Sequence, residues 1–323
     1  MILIFEMEKN IKIKLFDKSN LSSVLALIES SDHTNRQKIS WVSKNMTAVL
    51  AFRDEELIGA IPFEQHKIKK SENTDIQALW VSAAYIKPSY RSIGIGSSMD
   101  AMIKKLCSDK KYVLVMRHDE GSPAFKWYKK NGYSVLNEII SLKISEKNIG
   151  KRLNNNYNLI SSFDDIKKIS PSLLKSFNYY NYFHYNFPKR TLKSWSDKLK
   201  FHYYKKSYEY NLIITSSNNG PDNFAVVGIT SIKDDILRVD ILELSCAKKF
   251  SEFENLITSI FHFGKIRKVE EIRVQVALND YYLNYFNELK FTKRWKTNLM
   301  GKALSKDIEL DPLNTRFFQI DYI

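Results

Sequence analysis

The chain has 323 residues, of which 44% are hydrophobic, and its formal net charge is +14. This length exceeds one ordinary domain, so we expect two domains, each able to bury a core. No stretch approaches the roughly 18 to 20 apolar residues of a membrane-spanning helix, which argues against a membrane protein. The N-terminal residues lack the basic region of a secretory signal, and Cys107 and Cys246 suit the reduced, buried thiols of a cytoplasmic protein.

The positive charge has two interpretations. It would attract an acidic partner such as CoA, a nucleotide-sugar or RNA. A composition rich in lysine and asparagine produces the same excess without any partner. The lysines are scattered rather than clustered, so the charge alone does not predict a nucleic-acid surface.

The first quarter of the chain mixes strand and helix patterns. Residues 11–16 alternate apolar and polar side chains with the period of a strand, whereas residues 21–30 gather apolar side chains on one helical face. Further patterns predict a helix at 36–44, strands at 47–52 and 56–65, and a polar loop at 67–75.

A turn between a strand and a helix carries the most informative residues. The apolar stretch 78–86 predicts a strand that Pro88 stops, and helical spacing of apolar residues predicts a helix over 95–106. Between them lies the sequence Arg91-Ser92-Ile93-Gly94-Ile95-Gly96. Glycines let backbone N–H groups approach a ligand, and the first helical turn leaves its N–H groups unpaired. With Arg91, this arrangement is typical of a phosphate or pyrophosphate site, although a plain tight turn shares the short pattern.

A second strand and a short helix follow that turn. Residues 111–117 are apolar enough for a buried strand. Ser122 and Pro123 then stand where an N-cap and a first helical residue are favoured, and Gly132 is placed to end the helix.

These motifs resemble those of the Gcn5-related N-acetyltransferase family. The resemblance rests on Pro-x-Tyr-Arg-x-x-Gly-Ile-Gly, then a helix and a strand, then Ala-x-x-x-Tyr-x-Lys-x-Gly-Tyr. Order, spacing and residue types all agree over residues 78–142, which correspond to the acyl-CoA half of that fold. Outside this region only the succession of elements agrees.

The resemblance implies a cofactor site for acetyl-CoA. Acyl-CoA would lie in a V-shaped opening between the strand before the glycine turn and the strand after its helix. The backbone of Ile86 would bind the pantetheine arm, and Tyr128 would protonate the CoA thiolate, unless it is only a packing tyrosine. The pyrophosphate would be held by Arg91, Ser92, Ile93, Gly94, Ile95, Gly96 and Ser97.

The general base is left open by the sequence. Where many members of the family have a glutamate on the strand before the turn, this chain has Trp80 and Ser82, and neither is a base. His118 follows the next strand and could reach the cleft, while ordered waters around Ser82 could carry the proton instead. Ser82 and His118 therefore join Tyr128 as candidate catalytic residues.

A polar, asparagine-rich stretch at 147–156 has the composition of a linker. It follows a predicted strand at 138–144, and the order of elements then repeats. The second half predicts strands at 157–161, 212–215, 224–230, 236–246, 272–276 and 291–304, an aromatic-rich helical region to 204, and helices at 250–261 and 279–289.

An offset of 158 residues relates the two halves. It aligns Tyr133 with Phe291, Tyr128 with Phe286, Arg91 with Lys249, Gly94 with Glu252, and Gly96 with Glu254. Carboxylates in place of glycines would repel a pyrophosphate. We therefore expect a mixed α/β fold of two tandem domains: 1–147 with an intact acyl-CoA site, and 148–323 as a degenerate copy that is structural or acceptor-binding.

The stretch 178–190 is dense in aromatic residues beside cations. It suits a stacking wall for a sugar, base or acceptor ring, or else the core of a domain interface. No spaced set of cysteines and histidines predicts zinc, so metal dependence is not expected.

The leading hypothesis is transfer of acetyl from acetyl-CoA to a primary amine of a small-molecule or nucleotide-linked acceptor by direct attack. Peptidoglycan-branching enzymes, which use aminoacyl-tRNA, share a tandem fold and basic surfaces but generally lack the intact Arg-x-x-Gly-x-Gly turn. A CoA-binding protein without catalysis is the other alternative, and it would not need Tyr128 as an acid. The sequence does not predict the oligomeric state.

Overall fold

We describe the chain from a computed structural model. It describes residues 4–7, 10–30, 47–69, 74–81, 84–108, 113–148, 153–181, 187–188, 190–192, 209–218, 220–232 and 236–304. Below, the first half means residues 4–148 and the second half means residues 153–304.

The described part of the first half contains predicted strands and helices in the predicted order, with β1 as an additional strand. Its strands are β1 (Ile4–Met7), β2 (Ile11–Leu15), β3 (Thr47–Arg53), β4 (Glu56–Lys69), β5 (Asp75–Val81), β6 (Tyr85–Ile86), β7 (Val113–His118) and β8 (Ser134–Ser145). Its helices are α1 (Leu21–Glu29), α2 (Ile95–Ser108) and α3 (Pro123–Lys130).

The second half repeats this order. Its strands are β9 (Asn158–Ile160), β10 (Phe187–Pro188), β11 (Glu209–Thr215), β12 (Asn223–Ser231), β13 (Leu237–Ser245), β14 (Glu271–Ala277) and β15 (Thr292–Ala303). Its helices are α4 (Phe163–Tyr180), α5 (Phe250–Ile266) and α6 (Tyr282–Glu288).

Two expectations differ from the structure, and a third is not tested. The loop predicted at 67–75 is wrong at both ends, because β4 runs to Lys69 and β5 already begins at Asp75. The strand predicted at 78–86 is divided into β5 and β6. The helix predicted at 36–44 lies outside the described residues.

The described strands belong to one continuous sheet that spans both halves. The order is β1-β2-β3-β4-β5-β7-β15-β8-β14-β13-β12-β11-β9, with β6 and β10 pairing on β4. In this sheet β5 and β7 run parallel, as do β13 and β14, and the other pairs are antiparallel.

The two halves exchange their last strands. Strand β15 of the second half lies between β7 and β8 of the first half and is antiparallel to both. Strand β8 in turn pairs with β14 of the second half. Each half therefore completes the sheet of the other, while the predicted boundary at residue 147 stays a prediction.

Residues 1–147 expressed alone are expected not to fold into a soluble domain. Without β15, strands β7 and β8 lose a shared partner, and the first-half core loses Met300, which is fully buried. Circular dichroism and thermal unfolding of this fragment would measure the effect. Co-expression with residues 148–323 is the control and should restore a folded complex. A soluble fragment with cooperative unfolding would contradict the expectation.

The helices divide between two faces of the sheet. Helices α2 and α3 pack on one face, with a core that includes Leu79 and Met300, and α5 and α6 pack on the same face of the second half. We call this the front face. Helices α1 and α4 cover the outer parts of the opposite, back face. Among the described residues no helix is long and apolar enough to cross a membrane.

Candidate active site

Two parallel strands separate near the centre of the first half. The last residue pair between β5 and β7 is Trp80 with Val115. Strand β7 continues to His118, whereas β6, the next described strand after β5, pairs with β4 through Ile86 and Gly59. The strand before the glycine turn and the strand after its helix thus diverge, which opens a cleft between them.

The glycine turn lies at one end of this cleft. Gly94 immediately precedes α2 with φ of +90°, a region that side-chain-bearing residues avoid. The first helical hydrogen bond runs from the Ser98 N–H to the Gly94 carbonyl at 3.0 Å. The N–H groups of Ile95, Gly96 and Ser97 therefore have no acceptor within the helix. Because the first turn of α2 contains no acidic residue, this helix end favours an anion.

Arg91 connects the turn to the strand beside the cleft. Its Nε donates to the Ile86 carbonyl at 2.9 Å, and its guanidinium carbon lies 5.7 Å from the centroid of the Tyr85 ring. Ser92, with φ of +65°, and Ile93 are exposed beside it. The structure thus brings the predicted cofactor-binding residues together at one end of the cleft.

Gly94 and Gly96 are needed for different reasons. At Gly94 the backbone conformation itself favours glycine. A Cβ on Gly96 would meet Ile86 Cδ1 at 3.5 Å, an ordinary contact. Packing within the described residues therefore does not require glycine at position 96, where a ligand would approach the backbone closely in the expected site.

Glu56 at the start of β4 holds the turn in place. Its carboxylate contacts the Lys87 ammonium at 2.5 Å and accepts a hydrogen bond from the Tyr90 hydroxyl at 3.1 Å. These two hydrogen bonds lower the pKa of Glu56. The Lys87 N–H also donates to the Ile58 carbonyl at 2.9 Å, so both ends of the short turn before Arg91 are fixed to β4.

The end of α3 positions Tyr128. The Phe125 N–H donates to the Ser122 hydroxyl at 3.1 Å, which confirms the predicted N-cap. At the other end Gly132 has φ of +80°, and the Tyr133 N–H donates to the Tyr128 carbonyl at 3.1 Å. This is the Schellman arrangement, in which the residue after the glycine packs back onto the helix. The two tyrosine rings accordingly meet edge to face at 5.0 Å.

Tyr128 is buried in the front-face core, with 5% of its surface exposed. The His118 ring stacks on it at 4.6 Å, and the Trp127 ring meets it edge to face at 4.7 Å. Burial, and secondarily the charge of Asp100, raise the pKa of the Tyr128 phenol above its usual value. The phenol is therefore protonated at neutral pH, and burial makes it a weaker acid than an exposed tyrosine.

A buried carboxylate holds the neighbouring tyrosine. Asp100 of α2 accepts a hydrogen bond from the Tyr133 hydroxyl at 2.7 Å and pairs with the Lys104 ammonium at 2.5 Å. Lys302 of the exchanged strand β15 donates to the Asn131 carbonyl at 2.7 Å. Desolvation, with the charge of Lys104, lowers the pKa of Lys302. The second half thus contributes directly to the aromatic cluster around Tyr128.

The back face of the cleft carries a carboxylate that sequence patterns did not single out. Glu64 of β4 pairs with Trp80 of β5 and is half-buried beside it. Trp80 packs on the back face with Ile139 and Leu299. Glu64 and Tyr128 therefore lie on opposite faces of the sheet. The position of Glu64 follows from the strand register between β4 and β5, which the sequence alone does not give. The other candidate on this side, Ser82, lies outside the described residues.

The second half has a similar gap between two parallel strands, but side chains of the second half already form hydrogen bonds with the polar groups around this gap. Strands β13 and β14 pair only as far as Ile241 with Val274. Glu252, which the 158-residue offset aligns with Gly94, lies in the first turn of α5. It is buried and accepts hydrogen bonds from the Asn218 N–H at 3.0 Å and the Asn223 amide at 2.7 Å. Burial alone would raise the pKa of Glu252, but its hydrogen bonds outweigh burial and lower the pKa. A fixed carboxylate thus stands at the start of α5.

The backbone beside this second gap is also satisfied internally. The Tyr282 hydroxyl accepts from the Cys246 N–H at 2.9 Å and donates to the Cys246 carbonyl at 2.6 Å. Phe286 and Phe291 repeat the contact of Tyr128 and Tyr133, with ring centroids 4.9 Å apart and the Phe291 N–H bonded to the Phe286 carbonyl. The 158-residue offset therefore holds for the backbone of α6 and β15, while the second copy has no phenol at this position. It does not hold at the glycine turn, because Gly94 precedes α2 whereas Glu252 is the third residue of α5.

The aromatic stretch 178–190 links the two halves where it is described. Strand β10 pairs with β4 of the first half through Phe187 and Pro188. Arg190 is buried and pairs with Glu243 of β13 at 2.9 Å. These contacts favour the domain-interface interpretation, and residues 182–186 and 189 lie outside the described residues.

Comparison with solved structures supports this architecture. A probable N-acyltransferase from Enterococcus faecalis superposes with a TM-score of 0.67 at 12% identity. A GCN5-related N-acetyltransferase from Anabaena variabilis gives 0.65 at 13%, and Eis1 from Mycobacterium abscessus gives 0.60 at 10%. Each comparison covers 91% of this chain and 73% of the other. No family model and no curated protein matches the sequence.

Proposed function

We propose that this chain, which has the fold of the GCN5-related N-acetyltransferases, is an acyl-CoA-dependent N-acyltransferase. The observation that carries the proposal is the divergence of β5 and β7 between two features of that chemistry. One is an anion-binding helix end at Gly94, and the other is the buried, protonated phenol of Tyr128. The first half holds the acyl-CoA, and the second half supports it without binding a second CoA.

Binding begins at the glycine turn. The N–H groups of residues 95–97 and the dipole of α2 attract the pyrophosphate, and Glu56 fixes the turn through Lys87 and Tyr90. The pantetheine arm would run along β6 into the gap beside β7. In the second half Glu252 and Tyr282 bind backbone groups of the chain itself beside the corresponding gap, which supports a single functional site.

The reaction requires an acid and a base at the same gap. The nitrogen of the acceptor amine attacks the thioester carbonyl carbon, the carbon–sulfur bond breaks, and Tyr128 gives its proton to the departing thiolate. The nitrogen loses its proton to a base, and we assign this role to Glu64, which lies on the back face. An acceptor entering from the back face would meet acyl-CoA held from the front face.

A thiol-release assay with acetyl-CoA tests the function. Amino sugars, nucleotide-linked amino sugars, polyamines, amino acids and peptides would be tried as acceptors, with CoA binding measured separately by calorimetry. Release of CoA that depends on one amine class supports the proposal and identifies the acceptor. If the protein binds CoA but releases no thiol with any of these acceptors, a CoA-binding protein without catalysis is favoured. If it does not bind CoA, a tRNA-dependent transferase is favoured. We expect acetyl transfer to a primary amine, in the cytoplasm and without a metal.

The substitution Glu64→Gln tests the base. We expect kcat/KM for the amine to fall about 100-fold at neutral pH, because general bases typically contribute at least this much. The affinity for acetyl-CoA should not change, since Glu64 lies on the other face of the sheet from Tyr128. His118→Gln is the matched comparison. Loss of the acidic limb of the pH profile in His118→Gln, with a normal profile in Glu64→Gln, would assign the base to His118 instead.

A further inference from the structure

A buried amide from the second half lies next to the aromatic cluster of the first. Asn298 of β15 is 3% exposed, and its Nδ2 donates to no acceptor among the described residues. It pairs directly with His118 of β7. Directly opposed residues of antiparallel strands point to the same face, with Cβ atoms about 5 Å apart. Asn298 therefore lies beside the His118 ring, which stacks on Tyr128.

Such a donor is costly unless something binds it. A buried N–H group without an acceptor destabilises a folded chain, because it has lost its hydrogen bonds to water. An apolar side chain of the same size would pack here without that cost. The position of Asn298 opposite His118, on the face that carries Tyr128, points to an acceptor supplied from outside the chain.

We propose that Asn298 is a substrate-binding residue that donates from Nδ2 to a carbonyl oxygen of the acyl–pantetheine arm of bound acyl-CoA. This inference rests on the proposed function. The acceptor is either the thioester carbonyl or a pantetheine amide carbonyl, since both present the same oxygen. Strand exchange then has a functional consequence: the second half completes the acyl-CoA site of the first half with a residue of its own last strand.

The adjacent residue provides a matched control. Thr297 is 1% exposed, and its hydroxyl also has no partner among the described residues. It pairs with Ile139, which packs on the back face. Thr297 and Asn298 thus share a strand, a degree of burial and an unpaired polar atom, but they point to opposite faces of the sheet.

The test compares Asn298→Leu with Thr297→Val in the full chain. Calorimetry measures the affinity for acetyl-CoA and for CoA, and thermal unfolding measures Tm. We expect Asn298→Leu to weaken acetyl-CoA binding about tenfold, with Tm unchanged or higher. Thr297→Val should keep wild-type affinity. If Asn298→Leu loses affinity for CoA as much as for acetyl-CoA, the hydrogen bond is to a pantetheine amide carbonyl. If it loses affinity for acetyl-CoA alone, the hydrogen bond is to the thioester carbonyl.

Other outcomes overturn the inference. Wild-type affinity in Asn298→Leu, or an equal loss in both variants, would show that the amide does not bind the arm. If Asn298→Leu does not fold, Asn298→Asp keeps the shape but removes the donor, and unchanged affinity in that variant overturns the inference as well. A wild-type chain that binds no CoA overturns the proposed function together with it. Normal CoA binding in every variant overturns this inference alone.

Discussion

Replacement of Gly94 by glutamate is expected to abolish CoA binding. The substitution copies Glu252, which the 158-residue offset aligns with Gly94. It acts in two ways, since φ of +90° is unfavourable for any residue with a Cβ, and a carboxylate would occupy the anion-binding end of α2. At low ionic strength we expect affinity to fall by at least 100-fold, as measured by calorimetry.

Gly94→Ala separates these two effects. Alanine introduces only the conformational strain, which costs about 1–2 kcal/mol in the left-handed region, so CoA should still bind with reduced affinity. Gly94→Glu should lose binding beyond this level while unfolding at a temperature close to that of Gly94→Ala. If the two variants bind CoA equally well, the helix end does not hold the pyrophosphate, and the proposed acyl-CoA site is wrong.

Replacement of Tyr128 by phenylalanine is expected to lower kcat about 1000-fold and to leave CoA affinity unchanged. The ring would keep its contacts with His118 and Tyr133, so only the proton donor is lost. The hydroxyl forms no hydrogen bond with a described residue, so Tm should stay the same or rise. Steady-state thiol release and calorimetry together measure the two effects.

Tyr133→Phe is the control for the aromatic cluster. Its hydroxyl donates to the buried Asp100, so its loss should lower stability by roughly 1–3 kcal/mol with a much smaller effect on kcat. The pH profile adds a second check. Because the pKa of Tyr128 is raised above its usual value of 10.0, Tyr128 should stay protonated up to about pH 10. The kcat of the wild-type enzyme should therefore not fall below that pH through loss of this proton. Equal losses of kcat in the two variants would contradict the acid role of Tyr128.

Local chemistry alone determined much of the first half. Ser122, Pro123 and Gly132 fixed the ends of α3 because caps and left-handed residues act within one turn of the chain. The same locality explains why Gly94 could be recognised as special before any fold was known. The end of the second half was predicted in the same way. The 158-residue offset aligns Phe286 with Tyr128 and Phe291 with Tyr133, and both pairs have the same backbone hydrogen bond.

Only the tertiary structure decided which residues meet at the cleft. The division of the strand at 78–86 into β5 and β6 depends on pairing with β4, which no local pattern encodes. That register places Glu64 opposite Trp80, and the exchange of β15 places Asn298 opposite His118. Sequence periodicity reports which face of an element is buried, but the choice of neighbouring strand is set by long-range packing. For that reason the sequence alone determined the glycine turn and Tyr128, whereas the partners across the cleft required the fold.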